Sequence, residues 1–325
     1  MDRIEWFSII ARDIGSIFRF VSVATAVPLV VAVIYREWDM ILPMASVPTV
    51  LFLLGTLLLR IPREEREAPL SAALMAVALI WLIMALVSGL PFHLGIGVPY
   101  LDGVFEAMSG WTDTGLTVMR SIDEMPRTLL FWRSLMQWLG GLGIVAFTVA
   151  MASRSGLTQF RLYRSEGRSE ALMPSVVATG IEMWKIYVVL TIASIGLILL
   201  SGIPVWDAVN IAIVAISTGG FSVHAGGIPF YNNTLLELLI VPVMIAGALP
   251  FKVYYLIYRR RGARFIDDQQ ARLLFVLIAI GIVVITWDLV MLSELDLPTA
   301  LHQALFMTAA AVSSTGFQVV SPNAW

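Results

Sequence analysis

Seven apolar stretches dominate the chain, most of them near the roughly 20 residues that a helix needs to cross a bilayer. They are Phe20–Tyr35, Ile41–Leu59, Leu70–Leu90, Thr128–Ala152, Glu182–Ser201, Leu235–Tyr258 and Arg272–Leu292. A water-soluble fold of 325 residues could not hide so much apolar surface. Charged residues make up only 14% of the sequence, against about 25% in a soluble domain. Pro28 and Pro43 fall inside the first two stretches, which membrane helices tolerate when neighbours satisfy the freed carbonyls. The expected fold class is therefore an all-α polytopic membrane protein. The first twenty residues carry charge throughout and do not read as a cleaved signal peptide.

Basic residues set the expected orientation. Arginines cluster in four places: the N-terminal segment (Arg3, Arg12, Arg19), the loop with Arg60, Arg63 and Arg66, the loop from Arg154 to Arg168, and the loop from Arg259 to Arg272. If the seven helices alternate in direction, all four clusters lie on one side. The excess of positive charge makes that side, and the N-terminus, cytoplasmic.

Three shorter apolar segments, Tyr100–Trp111, Val205–Ile216 and Pro298–Val312, are too brief to span and fit re-entrant helices. They belong to an internal repeat. GVFEAMSGWTDTG (103–115), AVNIAIVAISTGG (208–220) and ALFMTAAAVSSTG (304–316) align without gaps. Each is an apolar half-helix that breaks into hydroxyl residues and a glycine. Gly115, Gly220 and Gly316 coincide, and Asp102, Asp207 and Gln303 stand just before the three segments. The two aspartates are expected to be helix N-caps. The repeating unit is helix, short helix, polar glycine turn, helix. This divides the chain into an N-terminal helix pair (1–67), a first full unit (68–170), a second full unit (171–268) and an incomplete third (269–325).

A turn at membrane depth must be buried in protein or line water. Its carbonyls need a polar partner, and carbonyl rings can replace the hydration shell of K⁺. Glycine permits the positive φ that turns successive carbonyls one way. A short helix ending there directs its negative dipole end toward the same place. One Ser-Thr-Gly is ordinarily just a helix end, but three in register on one side point to an ion path. Other classes find little support. The chain has no cysteine and three scattered histidines, His93, His224 and His302, so a transition-metal site is not expected. Neither HExxH nor GxSxG occurs, and an enzyme is not expected. The net charge of −2 leaves no footprint for nucleic acid.

The segments SGWTDTGLTV (109–118), WRSLMQWLGGLGIV (132–145), AISTGGFSVH (215–224) and SSTGFQ (313–318) resemble signatures of the Trk/Ktr/HKT superfamily of K⁺ transporters. The likeness is to the TrkH type, whose extra N-terminal helix pair matches Phe20–Leu59. The resemblance implies M1–P–M2 repeats around one pore, with K⁺ as the transported ion and no covalently bound cofactor. Carried over, Gly115, Gly220 and Gly316 are the filter glycines. Thr112, Asp113 and Thr114, then Ser217, Thr218 and Gly219, then Ser313, Ser314 and Thr315 line the filter strands. It also implies a plasma-membrane homodimer, each subunit with its own pore. A cytoplasmic nucleotide-binding regulatory subunit of the TrkA/KtrA kind is the implied partner besides lipid. Family members have four repeats, and the expectation is that this chain is a fragment of a longer protein. The competing reading is a non-conducting fragment or accessory subunit of the same fold.

Individual residues carry further expectations. Asp113 is either a charge that draws cations to the outer mouth or a solvated loop acid. Glu106, on the first short helix, is expected to be structural. Arg133 is expected to snorkel or to pair with an acid such as Asp123 or Glu124. Gly140, Gly141 and Gly143 read as close-packing positions. Trp38, Trp111, Trp206 and Trp325 read as interfacial belt residues. The arginines of 154–168 and 259–264 read as cytoplasmic anchors able to dock a regulatory subunit or anionic lipid.

Overall fold

A computed structural model describes residues 3–61, 70–143, 176–258 and 268–320. The arginine-rich segments 154–168 and 259–264, the end of the Thr128–Ala152 stretch and Trp325 lie outside the described residues. Thirteen α-helices and three short 3₁₀ turns make up the regular structure among the described residues. In chain order the helices are α1 (Arg3–Ala24), α2 (Val27–Tyr35), α3 (Ile41–Leu59), α4 (Leu70–Ser88), α5 (Leu90–Ile96), α6 (Tyr100–Trp111) and α7 (Arg127–Leu142). Then follow α8 (Val176–Leu199), α9 (Val205–Ser217), α10 (Thr234–Ala248), α11 (Phe251–Tyr258), α12 (Gln269–Met291) and α13 (Leu297–Val312). The 3₁₀ turns are Trp38–Met40, Ile122–Glu124 and Ile228–Tyr231.

Among the described residues, five stretches are long and apolar enough to cross a membrane: Ile10–Tyr35, Trp38–Leu59, Met75–Ile96, Gly180–Leu199 and Gln269–Met291. The short helices α6, α9 and α13 coincide within a residue with the three short apolar segments of the sequence. The all-helical membrane fold is as expected, but four boundaries differ for physical reasons. The first helix begins well before Phe20, because its charges find partners. The Arg12 guanidinium donates to the carbonyls of Leu59 and Ile61 at the end of α3, at 3.2 and 2.7 Å, and Arg19 lies over the Phe52 ring. The expected first span is two helices, broken at Thr25–Ala26. The stretch Leu70–Leu90 ends at Ser88, and Pro91 opens a separate α5. The stretch Leu235–Tyr258 is interrupted at Leu249, which is extended before Pro250, as a residue preceding proline favours.

The chain forms two compact units, Met1–Thr112 with Leu116–Lys185, and Asp113–Gly115 with Ile186–Trp325. In the first unit, α1 and α3 cross at a pair of glycines. A Cβ on Gly15 would lie 2.9 Å from the Gly55 carbonyl oxygen, and one on Gly55 would lie 2.8 Å from that of Gly15. Gly89 and Gly103 make a similar reciprocal approach between the α4–α5 junction and α6. Such contacts are how helices gain packing in lipid, where no hydrophobic force drives them together. Glu37 accepts from the Arg127 and Thr128 amides at 2.8 and 2.9 Å and from the Thr128 hydroxyl at 2.6 Å. It therefore caps α7 from a distant loop, where the helix dipole favours an anion. In the second unit α12 packs on α13, α9 on α10, and α10 on α13.

The α1–α3 crossing generates a stability prediction. Gly55→Leu overpacks the contact and is expected to cost about 1–3 kcal/mol, read as a lower melting temperature of the purified protein in detergent. Gly196→Ala, at a site with nothing within 4 Å, is the control and should leave the melt within about 0.5 kcal/mol of the parent.

Candidate functional site

The three short helices end alike. The hydroxyls of Thr112, Ser217 and Ser313 donate back to carbonyls of their own helices, those of Met108, Val214 and Ala310, at 2.8, 3.1 and 3.3 Å. Each of these carbonyls also accepts a backbone amide, from Thr112, Gly219 and Thr315 at 3.0, 3.0 and 2.9 Å, so the hydroxyl adds a second bond at the helix end. One position later each chain enters the left-handed region: Asp113 at φ 51°, Thr218 at φ 61° and Ser314 at φ 60°. Two positions later again the glycines follow, Gly115 at 73°, Gly220 at 86° and Gly316 at 74°. The same two positions of every turn thus carry positive φ. A β-branched residue such as Thr218 is an outlier there, and strain of this kind collects at functional sites.

The turns also meet in a fixed register within the second unit. A Cβ placed on Gly115 would run into the carbonyl of Gly219, and one on Gly220 would run into the carbonyl of Thr315. In the repeat alignment Gly219 and Thr315 occupy the position just before the glycine. Each glycine therefore faces the preceding-residue carbonyl of the next turn, and the step is taken twice in the same sense. Thr315 is buried, with its amide on Ala310 O at 2.9 Å and its hydroxyl 2.7 Å from Ser313 Oγ. Ser217 and Gly219 are buried, Asp113, Thr218, Gly115 and Gly220 half-buried, and Thr112, Thr114, Ser314 and Gly316 exposed. A backbone carbonyl of one turn is thus set directly against the glycine of its neighbour, and backbone oxygens held at such turns suit a desolvated alkali cation.

The helices behind the turns repeat as well. A Cβ on Gly140 of α7 would strike the Trp111 carbonyl at the end of α6, and one on Gly247 of α10 would strike the Ile216 carbonyl near the end of α9. Trp111 and Ile216 are equivalent in the repeat. Gly140 is a close-packing glycine, and Gly247, which the sequence analysis does not single out, has the same role. Both helices stop just beyond, at Leu142 and Ala248.

The chain leaving each of the first two turns is braced. Thr117 and Ser222, two residues after their glycines, accept from the amides of Met119 and His224, each at 3.1 Å. Glu106 accepts from the Thr117 hydroxyl at 2.9 Å to both carboxylate oxygens, from the Val118 amide at 3.2 Å and from Arg133 Nε at 2.7 Å. Behind the second turn, His224 Nε2 lies 3.2 Å from Asp207 Oδ1, and its ring stacks on Phe230. Burial, then the charge of Asp207, pushes the Tyr231 phenol up, so it stays a proton donor. His302 Nε2 meets Glu237 Oε2 at 3.0 Å, tying α13 to α10.

Several expectations need correction. Asp102 and Asp207 are not N-caps. Pro99 and Pro204 hold those positions, and the aspartates lie inside the first turn of their helices. In α13 the N-cap is Asp296, whose side chain accepts from the Thr299 amide. That bonding from Thr299 holds its carboxyl below the usual range. Gln303 lies mid-helix. Arg133 pairs with Glu106, not chosen from its sequence neighbours. Trp111 is no belt residue. It is fully buried, donates to Ser88 Oγ at 2.9 Å and meets Trp132 edge-on, whereas Trp38 is exposed. His224 and His302 each face a carboxylate. No group of three or more metal-ligating side chains occurs among the described residues.

Residues 50–325 match the family described as TrkH: Cation transport protein. An uncharacterized cation transporter of Methanocaldococcus jannaschii is 32% identical over 313 residues, covering 96% of this chain and 63% of that protein. The Trk system potassium uptake protein TrkH of Halomonas elongata is 27% identical over 328 residues, covering 97% and 67%. The crystal structure of the potassium transporter TrkH from Vibrio parahaemolyticus matches with a TM-score of 0.86 at 25% identity, covering 98% of this chain and 67% of that one. The chain spans about two thirds of the length of these relatives.

The turn geometry predicts that glycine and alanine exchanges act in opposite directions. Gly220→Ala meets both the positive φ and the Thr315 carbonyl and should lower the melting temperature, by about 1–3 kcal/mol of stability. Thr218→Gly releases about 1–2 kcal/mol of left-handed strain against about 0.5–1 kcal/mol of glycine entropy. Its melt should be unchanged or higher.

Proposed function

Because the chain belongs to the TrkH family of cation transport proteins, we propose that it takes part in K⁺ uptake across the plasma membrane, through a path lined by the three glycine turns. The observation that carries this reading is the repeated register of glycine on carbonyl, Gly115 on Gly219 and Gly220 on Thr315. A cation entering from outside loses water and gains backbone oxygens of neighbouring turns, together with hydroxyl oxygens of Thr114, Thr218 and Thr315. The negative ends of α6, α9 and α13 favour positive charge there. Asp113 adds a carboxylate to the first turn and raises local cation concentration at the mouth.

On this reading the repeating units are M1–P–M2 modules. They run over 68–170 (α4, α6, α7) and 171–268 (α8, α9, α10), with M1 and P of a third in 269–325 (α12, α13) after the N-terminal pair of 1–67. The N-terminus is cytoplasmic, the protein is a homodimer in the bilayer, and a cytoplasmic nucleotide-binding subunit of the TrkA/KtrA kind regulates it. The arginine-rich loops are its docking surface.

The test is Rb⁺ uptake into cells lacking their own K⁺ uptake and expressing this chain. A Gly115→Asp, Gly220→Asp variant of equal membrane abundance is the blank. Uptake at least tenfold above the blank and competed by K⁺ is expected. Uptake equal to the blank, with both proteins in the membrane, would overturn the reading in favour of a non-conducting subunit.

A further inference from the structure

The first turn is held by a buried charge. Glu106 is 0% exposed and Arg133 1% exposed, so the pair is sealed from water. Isolated burial of either charge would be very costly, and the carboxylate is instead fully engaged. It takes the Arg133 guanidinium, the Thr117 hydroxyl and the Val118 amide. The Thr117 oxygen in turn receives the Met119 amide. Three consecutive residues of the strand that leaves Gly115 are thus fixed, directly or through one hydroxyl, to one carboxylate. Thr117 is itself exposed, so packing around its side chain does not do this. The second turn has the same hydroxyl-to-amide motif at Ser222 and His224, but there the acid, Asp207, reaches the strand through the His224 ring. In the third turn the described bracing is the Ser313–Thr315 hydroxyl pair within the turn itself. The three turns are built alike and secured differently.

We propose that Glu106, acting through Thr117, is a positioning residue that sets the preference for K⁺ over Na⁺ at the first turn. The inference rests on the cation-path reading above. Carbonyls can favour the larger ion only if they resist closing around the smaller one, and that resistance must come from groups behind the turn. Only Leu116 separates Gly115 from Thr117, too little chain to absorb a displacement of the strand. Charge-assisted bonds in a dry setting give the stiffest such support. Releasing the strand lets the Gly115 carbonyl follow a smaller ion, so Na⁺ gains while K⁺ loses little.

The experiment reads cation binding directly. The melting temperature of the purified chain in detergent is followed against KCl and NaCl at constant ionic strength made up with choline chloride. A ligand of the folded state at free concentration c stabilises it by RT ln(1 + c/Kd) and so raises the melt. The unaltered chain should need at least tenfold less K⁺ than Na⁺ for the same shift. Thr117→Val, which removes the hydroxyl link and leaves Glu106 and Arg133 paired, should narrow that ratio at least fivefold. Thr117→Ser, which keeps the hydroxyl, should restore it. Glu106→Gln combined with Arg133→Gln, which removes the link without leaving a lone buried charge, should narrow the ratio as Thr117→Val does. A merely structural brace would lower every melt and leave the K⁺-to-Na⁺ ratio alone. An unchanged ratio in Thr117→Val therefore overturns this inference while the cation path stands. Equal K⁺ and Na⁺ responses in the unaltered chain overturn the K⁺ reading itself, and this inference with it.

Discussion

The contact on which the rest of the site depends is the approach of a glycine Cα to a carbonyl of the next turn. Nothing larger than hydrogen fits between Gly115 and the Gly219 carbonyl or between Gly220 and that of Thr315. The approach requires positive φ at the glycine, and a second left-handed residue two positions before it to reverse the chain after the short helix. Once these are set, the short helix ends at one residue, and the first hydroxyl of the turn adds a bond to a carbonyl of the last turn that already holds a backbone amide. Ser or Thr at that position, and glycine three positions on, follow from backbone geometry before any ion is considered.

Holding such a turn needs support from behind, and the protein supplies it twice over. At the ends of the short helices, Gly140 and Gly247 let α7 and α10 lie directly against the carbonyls of Trp111 and Ile216. Toward the departing strand, buried or half-buried acids take over. The two kinds of support differ in character. Glycine contacts fix distance through repulsion and are short-ranged. The Glu106–Arg133 pair fixes direction, because a carboxylate that loses one donor in a dry environment gains nothing in return.

Much of this was legible in the sequence, for reasons that can be named. Short apolar segments followed by hydroxyls and glycine gave α6, α9 and α13 to within a residue, since turn chemistry there is strict. The gapless alignment put Asp113, Thr218 and Ser314 in one column before their shared φ was known. The ends of long helices were harder. Charges at Arg12 and Arg19 moved the expected start of the first helix inward, because hydropathy cannot show that Leu59 and Ile61 carbonyls wait for a guanidinium. Glu106 and Arg133 are 27 residues apart with acids closer to the arginine in sequence, and no spacing rule joins them. Gly247 lies in a stretch, IAGALP, whose glycine looked unremarkable. Laying the second long helix of each unit over the other would have paired it with Gly140.

Those two glycines also mark where their helices end. Gly140 and Gly247 sit near the C-terminal ends of α7 and α10, and each helix stops within two residues, at Leu142 before Gly143 in the first case and at Ala248 before Leu249 and Pro250 in the second. Up to the glycine, the helix is pinned to the short helix by a contact that tolerates no added atom. Beyond it, the backbone leaves the helical region, at φ 76° and ψ 131° in Gly143 and ψ 141° in Leu249. The pinned part of each helix thus ends within two residues of its glycine, at the same place in both units. A glycine there allows the contact by its missing side chain, and Gly143 and Leu249-Pro250 end the helical hydrogen-bond ladder just beyond it; in the second unit the Tyr254 hydroxyl then donates back across the break to the Ala246 carbonyl.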